Sequence, residues 1–407
     1  MANIDLGRYR RIVQMFWDPE PSNDTVIDQP VWCLGRSYSL SDHGAEDDRQ
    51  GGQLPKLQSR PVHGHHSSAT AGGWPRAFVD DFSSKFSMTY RSGFDPIPRS
   101  TNPRAATALS LQMRLKSQLG DQAGFSSDSG WGCMIRSGQS LLANTKAILQ
   151  LGRGWHRGSQ PRHNEGHIIS LFADDLRAPY SIHNFVRHGA TACGKYPGQW
   201  FGPSATAQCI QALVNSHEPS LRVYSTGDGP DVYEDSFFKI AKPNGSEFCP
   251  TLILVGTRLG IDKITPVYWE GILAMLQMSQ SVGIAGGRPS SSYYFIGIQS
   301  SYLFYLDPHH TRPALPYHTD PSRYTDEEID SCHTNRLRRI HIQEVDPSML
   351  IGFLIRSEDD WLEWRRSLES FRGKAIIHIC DRKPASQGSV GATIDDVETV
   401  SDEETDL

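Results

Sequence analysis

No stretch of this 407-residue chain approaches the run of about 18 apolar residues needed to cross a membrane as a helix, and its opening, MANIDLGRYRRIV, lacks the apolar core of a secretory leader. A soluble, intracellular protein is expected. The seven cysteines (Cys33, Cys133, Cys193, Cys209, Cys249, Cys332 and Cys380) include no Cys-x-x-Cys pair, which argues against a zinc site and, with their odd number and wide scatter, against a disulfide framework. Thiols in a reducing compartment follow, with no metal and no cofactor. A basic stripe is missing as well. The formal charge is -6, and the seven carboxylates that follow Lys383 without a single base account for it, leaving a body near +1 and no footprint for nucleic acid.

Large apolar residues are nearly absent from residues 41–75, which are rich in Gly, Ser, His and charge and cannot bury enough surface to offset the entropy of ordering. A disordered insertion is expected there, and its histidines His63, His65 and His66 read better as a solvated loop than as metal ligands. The same reasoning makes 384–407 a disordered acidic tail. Residues 152–166, GRGWHRGSQPRHNEG, read as a long loop. The organisation is then an N-terminal arm and the start of the main domain over 1–40, the insertion over 41–75, one folded domain over 76–383, and the tail.

Within the folded part, helix and strand signals alternate without the regularity of a doubly wound sheet, so an α+β fold is predicted. In CMIRSGQSLLANTKAILQLG the apolar residues recur as pairs seven apart, one helical face, with Cys133 at its N-terminal end. Further helices are expected after Pro203-Ser204 and over 267–276 and 359–371, and strands over 251–257, 293–299, 301–307, 338–345, 349–356 and 375–380. The tight spacing of 293–299 and 301–307 predicts a hairpin.

Cys133 follows Asp128-Ser129-Gly130-Trp131-Gly132, where two glycines permit a sharp turn and close approach of a substrate chain. The unsatisfied amides at a helix start favour thiolate over thiol, and the Cys133 amide can donate to an oxyanion, so an exposed thiolate of lowered pKa is expected. An ordinary buried thiol is the competing reading. For the base, position chooses among sixteen histidines. In YLFYLDPHHTRPA, Asp307 and His309 are two apart, so in extended chain they share a face, while His310 points the other way. Asp307 can then fix the imidazole tautomer for a Cys-His-Asp triad. A turn in which Asp307 caps the backbone and His309 is merely exposed fits the same residues.

The motifs DSGWGCMIRSGQ and YLDPHHTRPA, with TYRSGF, GQWFGPS, GGRPSSSYYFIG and EVDPSMLIGFLIRSEDDW, occur in one order between about residues 28 and 382, and the chain thereby resembles the autophagins, the cysteine proteases of autophagy. The resemblance implies a papain-like fold with a small additional α/β subdomain, roughly 215–270. It implies that Cys133 is the nucleophile, His309 the base and Asp307 its orienting acid. Tyr90 resembles the tyrosine that supports the oxyanion; by itself it would be a core aromatic. Trp200 and Pro289 resemble the pair that closes over the nucleophile and parts for a glycine tail, and Gly286 and Gly287 suit a loop that moves. No Gly-Lys-Ser/Thr follows them, so they are no phosphate loop.

The implied activity is that of a thiol protease cutting after the C-terminal glycine of a ubiquitin-like autophagy protein, both to mature its precursor and to release it from phosphatidylethanolamine. The implied partners are that precursor and its lipid conjugate, with membrane contact through the substrate and the enzyme a monomer. The implied location is the cytoplasm, with the nucleus and the pre-autophagosomal site as further places. A catalytically silent scaffold or a deubiquitinase-like hydrolase are the alternatives. Family members often carry an aromatic-x-x-aliphatic motif among acids for binding the partner. Here Tyr9-Arg10-Arg11-Ile12 has a basic middle and Ile394-Asp395-Asp396-Val397 lacks the aromatic, so docking on the protease surface is expected.

Overall fold

The computed structural model describes residues 20–23, 29–40, 72–109, 113, 124–243, 245 and 247–384. The three histidines of the insertion, both aromatic-x-x-aliphatic candidates and nearly all of the acidic tail lie outside the described residues. Fourteen strands are described: β1 (Val31–Cys33), β2 (Arg36–Tyr38), β3 (Arg91–Ile97), β4 (Phe125–Ser127), β5 (Arg222–Ser225), β6 (Asp231–Tyr233), β7 (Thr251–Arg258), β8 (Ser281–Arg288), β9 (Ser291–Gln299), β10 (Tyr302–Leu306), β11 (Arg312–Pro313), β12 (Arg339–His341), β13 (Ser348–Ile355) and β14 (His378–Cys380). The central sheet runs β12-β10-β9-β8-β13-β7-β5, with β1 added to β9 and β2 to β1. All of its pairings are antiparallel except β5 with β7.

β13 explains why the sheet sits in the middle of the molecule. All eight of its residues are buried, Leu350 and Leu354 in the apolar cluster on one face and Met349, Ile351, Phe353 and Ile355 in that on the other. A continuous apolar run with period-two alternation is what a strand covered on both faces requires. One face carries the helix Cys133–Leu151, the other the helices Trp269–Gln277 and Glu358–Ser370. Helices packed on a largely antiparallel sheet make the fold α+β, as expected. Among the described residues no helix is long and apolar enough to cross a membrane.

The helix Cys133–Leu151 is buried from Cys133 through Ile148, not along one face alone. Its polar residues are consumed by neighbours: Asn144 Oδ1 accepts from the Phe86 N–H at 3.0 Å, its Nδ2 donates to Phe86 O at 2.9 Å, and Ser140 Oγ accepts from the Met88 N–H at 2.9 Å. These bonds lay the segment 86–88 along the helix, as buried backbone groups demand partners, and so deliver Tyr90 next to the helix start.

Several expectations need correction. Gly72–Pro75, assigned to the insertion, belong to the fold: Trp74 is 3% exposed and meets Phe304 edge-on with ring centroids 5.2 Å apart. The 152–166 loop becomes helical at Arg162, and its Trp155 stacks on Phe86 at 5.7 Å. The strand expected over 338–345 stops at His341 and turns into a 3-10 helix, and that over 375–380 begins only at His378. The small subdomain expected over 215–270 shares its apolar core with the main sheet. β7 is an inner strand of the central sheet, and Tyr224, Phe237 and Ile253 share one apolar cluster with Phe353, Trp361 and Trp364.

Candidate active site

The turn before the central helix is built on Asp128. Its carbonyl accepts the Trp131 and Gly132 N–H groups at 3.1 and 2.9 Å, and Gly130 takes φ +92°, where an L side chain is disfavoured. Its carboxylate is fully buried, accepting from Arg91 N–H at 2.6 Å and Arg136 Nε at 2.7 Å. Arg136 reaches on to Asp174 Oδ1 at 2.8 Å, so one buried guanidinium bridges two carboxylates. Cys133 follows as the first residue of the helix.

The thiol is 2% exposed, which corrects the expectation of an exposed group. Burial alone would push its pKa up; the hydrogen bond and charge of His309, a backbone N–H from Ser292 and the Tyr90 hydroxyl outweigh burial and hold it below its ordinary value. His309 moves the opposite way. Burial opposes its charge, yet Asp307 and the Cys133 thiolate carry its pKa up to about 9. Both directions favour the thiolate–imidazolium pair at neutral pH.

Asp307 lies one residue past β10. Its Oδ1 accepts both from His309 Nδ1 at 2.7 Å and from the His309 backbone N–H at 3.0 Å. The competing reading of Asp307-Pro308-His309 holds only in its turn: the carboxylate closes a local turn and also orients the ring, and His309 is not merely exposed. Among the described residues His309 Nε2 is buried without a hydrogen-bond partner of ordinary geometry, and the Cys133 side chain is the group that acts on it from that side. The imidazole is held edge-on between Tyr90 and Tyr293, with centroids 5.4 and 5.5 Å away. Tyr90 is locked in turn, its N–H donating to Pro308 O at 2.8 Å and its carbonyl accepting from Arg312 N–H at 2.9 Å. Burial and the Cys133 charge keep the Tyr90 hydroxyl protonated, and the Gly130 N–H donates to it.

Beside this row lies a small cleft of about 20 Å³ lined by Met134, Trp200, Gly286, Gly287, Ser292 and Asp346 among others. Gly286 and Gly287 are not in a mobile loop as expected: they belong to β8, paired with Tyr293 and Ser292 of β9. Only Pro289 and Ser290 form the turn, Ser290 with φ +63°, and Pro289 is exposed at the tip while its neighbours line the wall facing Trp200. A larger cavity of about 450 Å³ lies near Gln150 and His163, at the other end of the helix, about 25 Å along its axis from Cys133. It holds none of this chemistry.

A family model of the peptidase C54 catalytic domain matches residues 75–367. The chain belongs to the peptidase C54 family. It is similar to the cysteine protease ATG4 of Gibberella zeae, at 60% identity covering 100% of this chain and 98% of that protein. The probable cysteine protease atg4 of Botryotinia fuckeliana is 59% identical over 100% of this chain and 99% of its own length. Cysteine protease 1 of Neurospora crassa is 51% identical over 98% and 91%. Peptidase C54 has a papain-like cysteine protease fold, and the chain is a cysteine peptidase, as the autophagin motifs implied.

The structure of this peptidase C54 member brings Cys133, His309, Asp307 and Tyr90 into one cluster and sets Trp200 at the adjoining cleft. Four neighbours were not anticipated from the sequence: Asp128, Ser292, Tyr293 and Arg338, whose Nη1 stands 3.4 Å from Asp307 Oδ2. Asp128, Ser292 and Tyr293 lie inside the motifs DSGWGC and GGRPSSSYYFIG, beside the more conspicuous Cys133 and Pro289. Arg338 gives no local signal.

Proposed function

We propose that this cysteine peptidase cleaves the bond after the C-terminal glycine of a ubiquitin-like autophagy protein, maturing its precursor and releasing it from phosphatidylethanolamine. The observation that carries this reading is the small cleft between Trp200 and the glycine-lined end of β8, whose lining includes Met134, the residue after Cys133, and Ser292, whose N–H reaches the thiol. Trp200 Nε1 is buried there without a hydrogen-bond partner among the described residues, and a carbonyl of an extended tail would satisfy it.

In this mechanism the Cys133 thiolate attacks the glycine carbonyl. The negative charge that develops on oxygen is met by the Cys133 backbone N–H at the helix start and by the Tyr90 hydroxyl. The His309 imidazolium gives its Nε2 proton to the leaving amine, while Asp307 holds Nδ1–H. His309, now neutral, takes a proton from water, which attacks the thioester and frees the glycine carboxylate. The amine departs as a peptide in one case and as a lipid head group in the other, so one site serves both reactions.

The test is parallel incubation with the precursor and with ubiquitin fused to the same C-terminal tail, followed by mass measurement of the products. Cleavage of the precursor after its glycine, with the ubiquitin fusion intact, supports the reading. Equal cleavage of both would show that the site reads the tail alone, and no cleavage of the precursor would overturn the proposal.

A further inference from the structure

Asp307 has two oxygens with different work. Oδ1 is saturated by two donors from His309, at 2.7 and 3.0 Å. Oδ2 is left for Arg338, whose Nη1 is 3.4 Å away, with side chains 22% and 24% exposed. Arg338 immediately precedes β12, and its carbonyl accepts the Tyr305 N–H at 3.1 Å, two residues before Asp307 on β10. Its side chain also hydrogen-bonds the Tyr305 hydroxyl. The cation is thus pinned to the strand that delivers the carboxylate, by backbone and by side chain.

We propose that Arg338 is a positioning residue of this peptidase, holding Asp307 Oδ2 so that Oδ1 stays turned toward His309 and the Cys133–His309 ion pair persists. The inference rests on the triad reading given above. Even partial burial favours the neutral form of a carboxylate, and a neutral Asp307 is a poorer acceptor for the ring N–H. Burial works against the Asp307 charge, and His309 and then Arg338 restore it, leaving the carboxyl below the usual carboxylate range. Besides Arg338, the titratable and charged groups around the row are Tyr305, Tyr293 and Arg288 from the sheet, and Tyr90 with Asp128 behind it from the helix side. Arg338 is the cation among them that pairs directly with Asp307.

Taking away this positive charge disfavours the Asp307 carboxylate, and a weakened Asp307 loosens its hold on the His309 imidazolium, so the Cys133–His309 ion pair should form only at higher pH. The experiment measures the rate of Cys133 alkylation by iodoacetamide against pH, corrected with Cys133→Ala, in the wild type, Arg338→Met and Arg338→Lys, each with Asp307 and with Asp307→Asn. Arg338→Met should move the acid limb upward by about one pH unit, a roughly tenfold loss of thiolate at mildly acidic pH. Arg338→Lys should recover most of it, and in the Asp307→Asn background Arg338→Met should change nothing further. On peptide or protein substrate the same variant should lose about tenfold or more in kcat, as when a part-buried charge loses its partner, with KM little changed.

An unmoved limb in folded Arg338→Met, or an equal shift in the Asp307→Asn background, would overturn the proposal. If Arg338→Met fails to fold, Arg338→Gln keeps hydrogen-bonding capacity without charge and gives the same reading. His309→Ala serves as the separate control. If the limb does not depend on His309 the triad reading falls, and if it depends on His309 but not on Arg338 only this inference does.

Discussion

Gly132 has no room for a side chain because Asp128 fills the space: a Cβ at Gly132 would lie 2.4 Å from Asp128 Oδ2 and 2.7 Å from its Cβ. The φ of Gly132 is an ordinary -90°, so the need is for space and not for backbone freedom. It is the carboxylate that also receives Arg91 and Arg136, and displacing it disturbs the turn that aims Cys133.

Gly132→Ala should therefore impair catalysis without touching the triad. Overpacking a well-filled interior by one methyl costs about 1 to 3 kcal/mol, so a lower midpoint in urea unfolding is expected together with a fall in kcat. Unchanged stability and turnover would mean that the Asp128 carboxylate can move aside freely.

Cys133→Ala should abolish cleavage while leaving the fold and substrate binding in place, because no other group here can attack. His309→Ala should be as severe, and Asp307→Asn should lower kcat strongly by loosening the tautomer. His310→Ala should be close to wild type, since His310 is exposed and outside the row. Activity surviving in Cys133→Ala, or lost in His310→Ala and kept in His309→Ala, would refute the assignment.

The pH dependence follows from the opposite movements of the pair. Turnover should be bell-shaped, with an acid limb below the ordinary thiol range as Cys133 is protonated and an alkaline limb near 9 as His309 loses its proton. For stability, His309 is raised in the folded state, so its contribution is fully present below the unfolded value of 6.5 and is lost as pH rises through about 9. Tm measured between pH 6 and pH 10 should fall across that window in the wild type and fall less in His309→Ala.

Specificity for glycine should be strong and should depend on Trp200. A methyl on the residue before the scissile bond has to displace a wall of the cleft, so Gly→Ala in the substrate should lower kcat/KM by about ten- to two-hundred-fold. Trp200→Ala should narrow the Gly to Ala ratio even while reducing the rate. The check is kcat/KM for both enzymes on both substrates, read as a coupling energy. An unchanged ratio would leave Trp200 as packing only.

Much of the site could be read from the sequence because its parts are local. The glycines and helix start around Cys133 sit within a few residues of one another, and the two-residue spacing of Asp307 and His309 is all that the turn and the ring contact need. The strongly apolar runs 251–257, 293–299 and 349–356 became strands as read, since burial on both faces leaves them no other place. β8 was missed because GIAGGR is poor in strand formers; it is a strand by virtue of its neighbours β9 and β13. Arg338 reaches Asp307 only through the register of β10 with β12, and Trp155 meets Phe86 across the fold, so neither leaves a mark on its own stretch of chain.

The enclosure of the Cys133 helix on every side carries a consequence for how this enzyme fails under heat. Amides in a helix surrounded by sheet and helices exchange with solvent only when the whole domain opens, whereas the exposed turn at Pro289 can fray on its own. The nucleophile is mounted on the last part of the molecule to come undone and one wall of the cleft ends in a turn that is among the first. Warming should then blur the choice between glycine and bulkier residues well before it silences the thiol, and a partly heated sample should be a less discriminating enzyme, not a dead one.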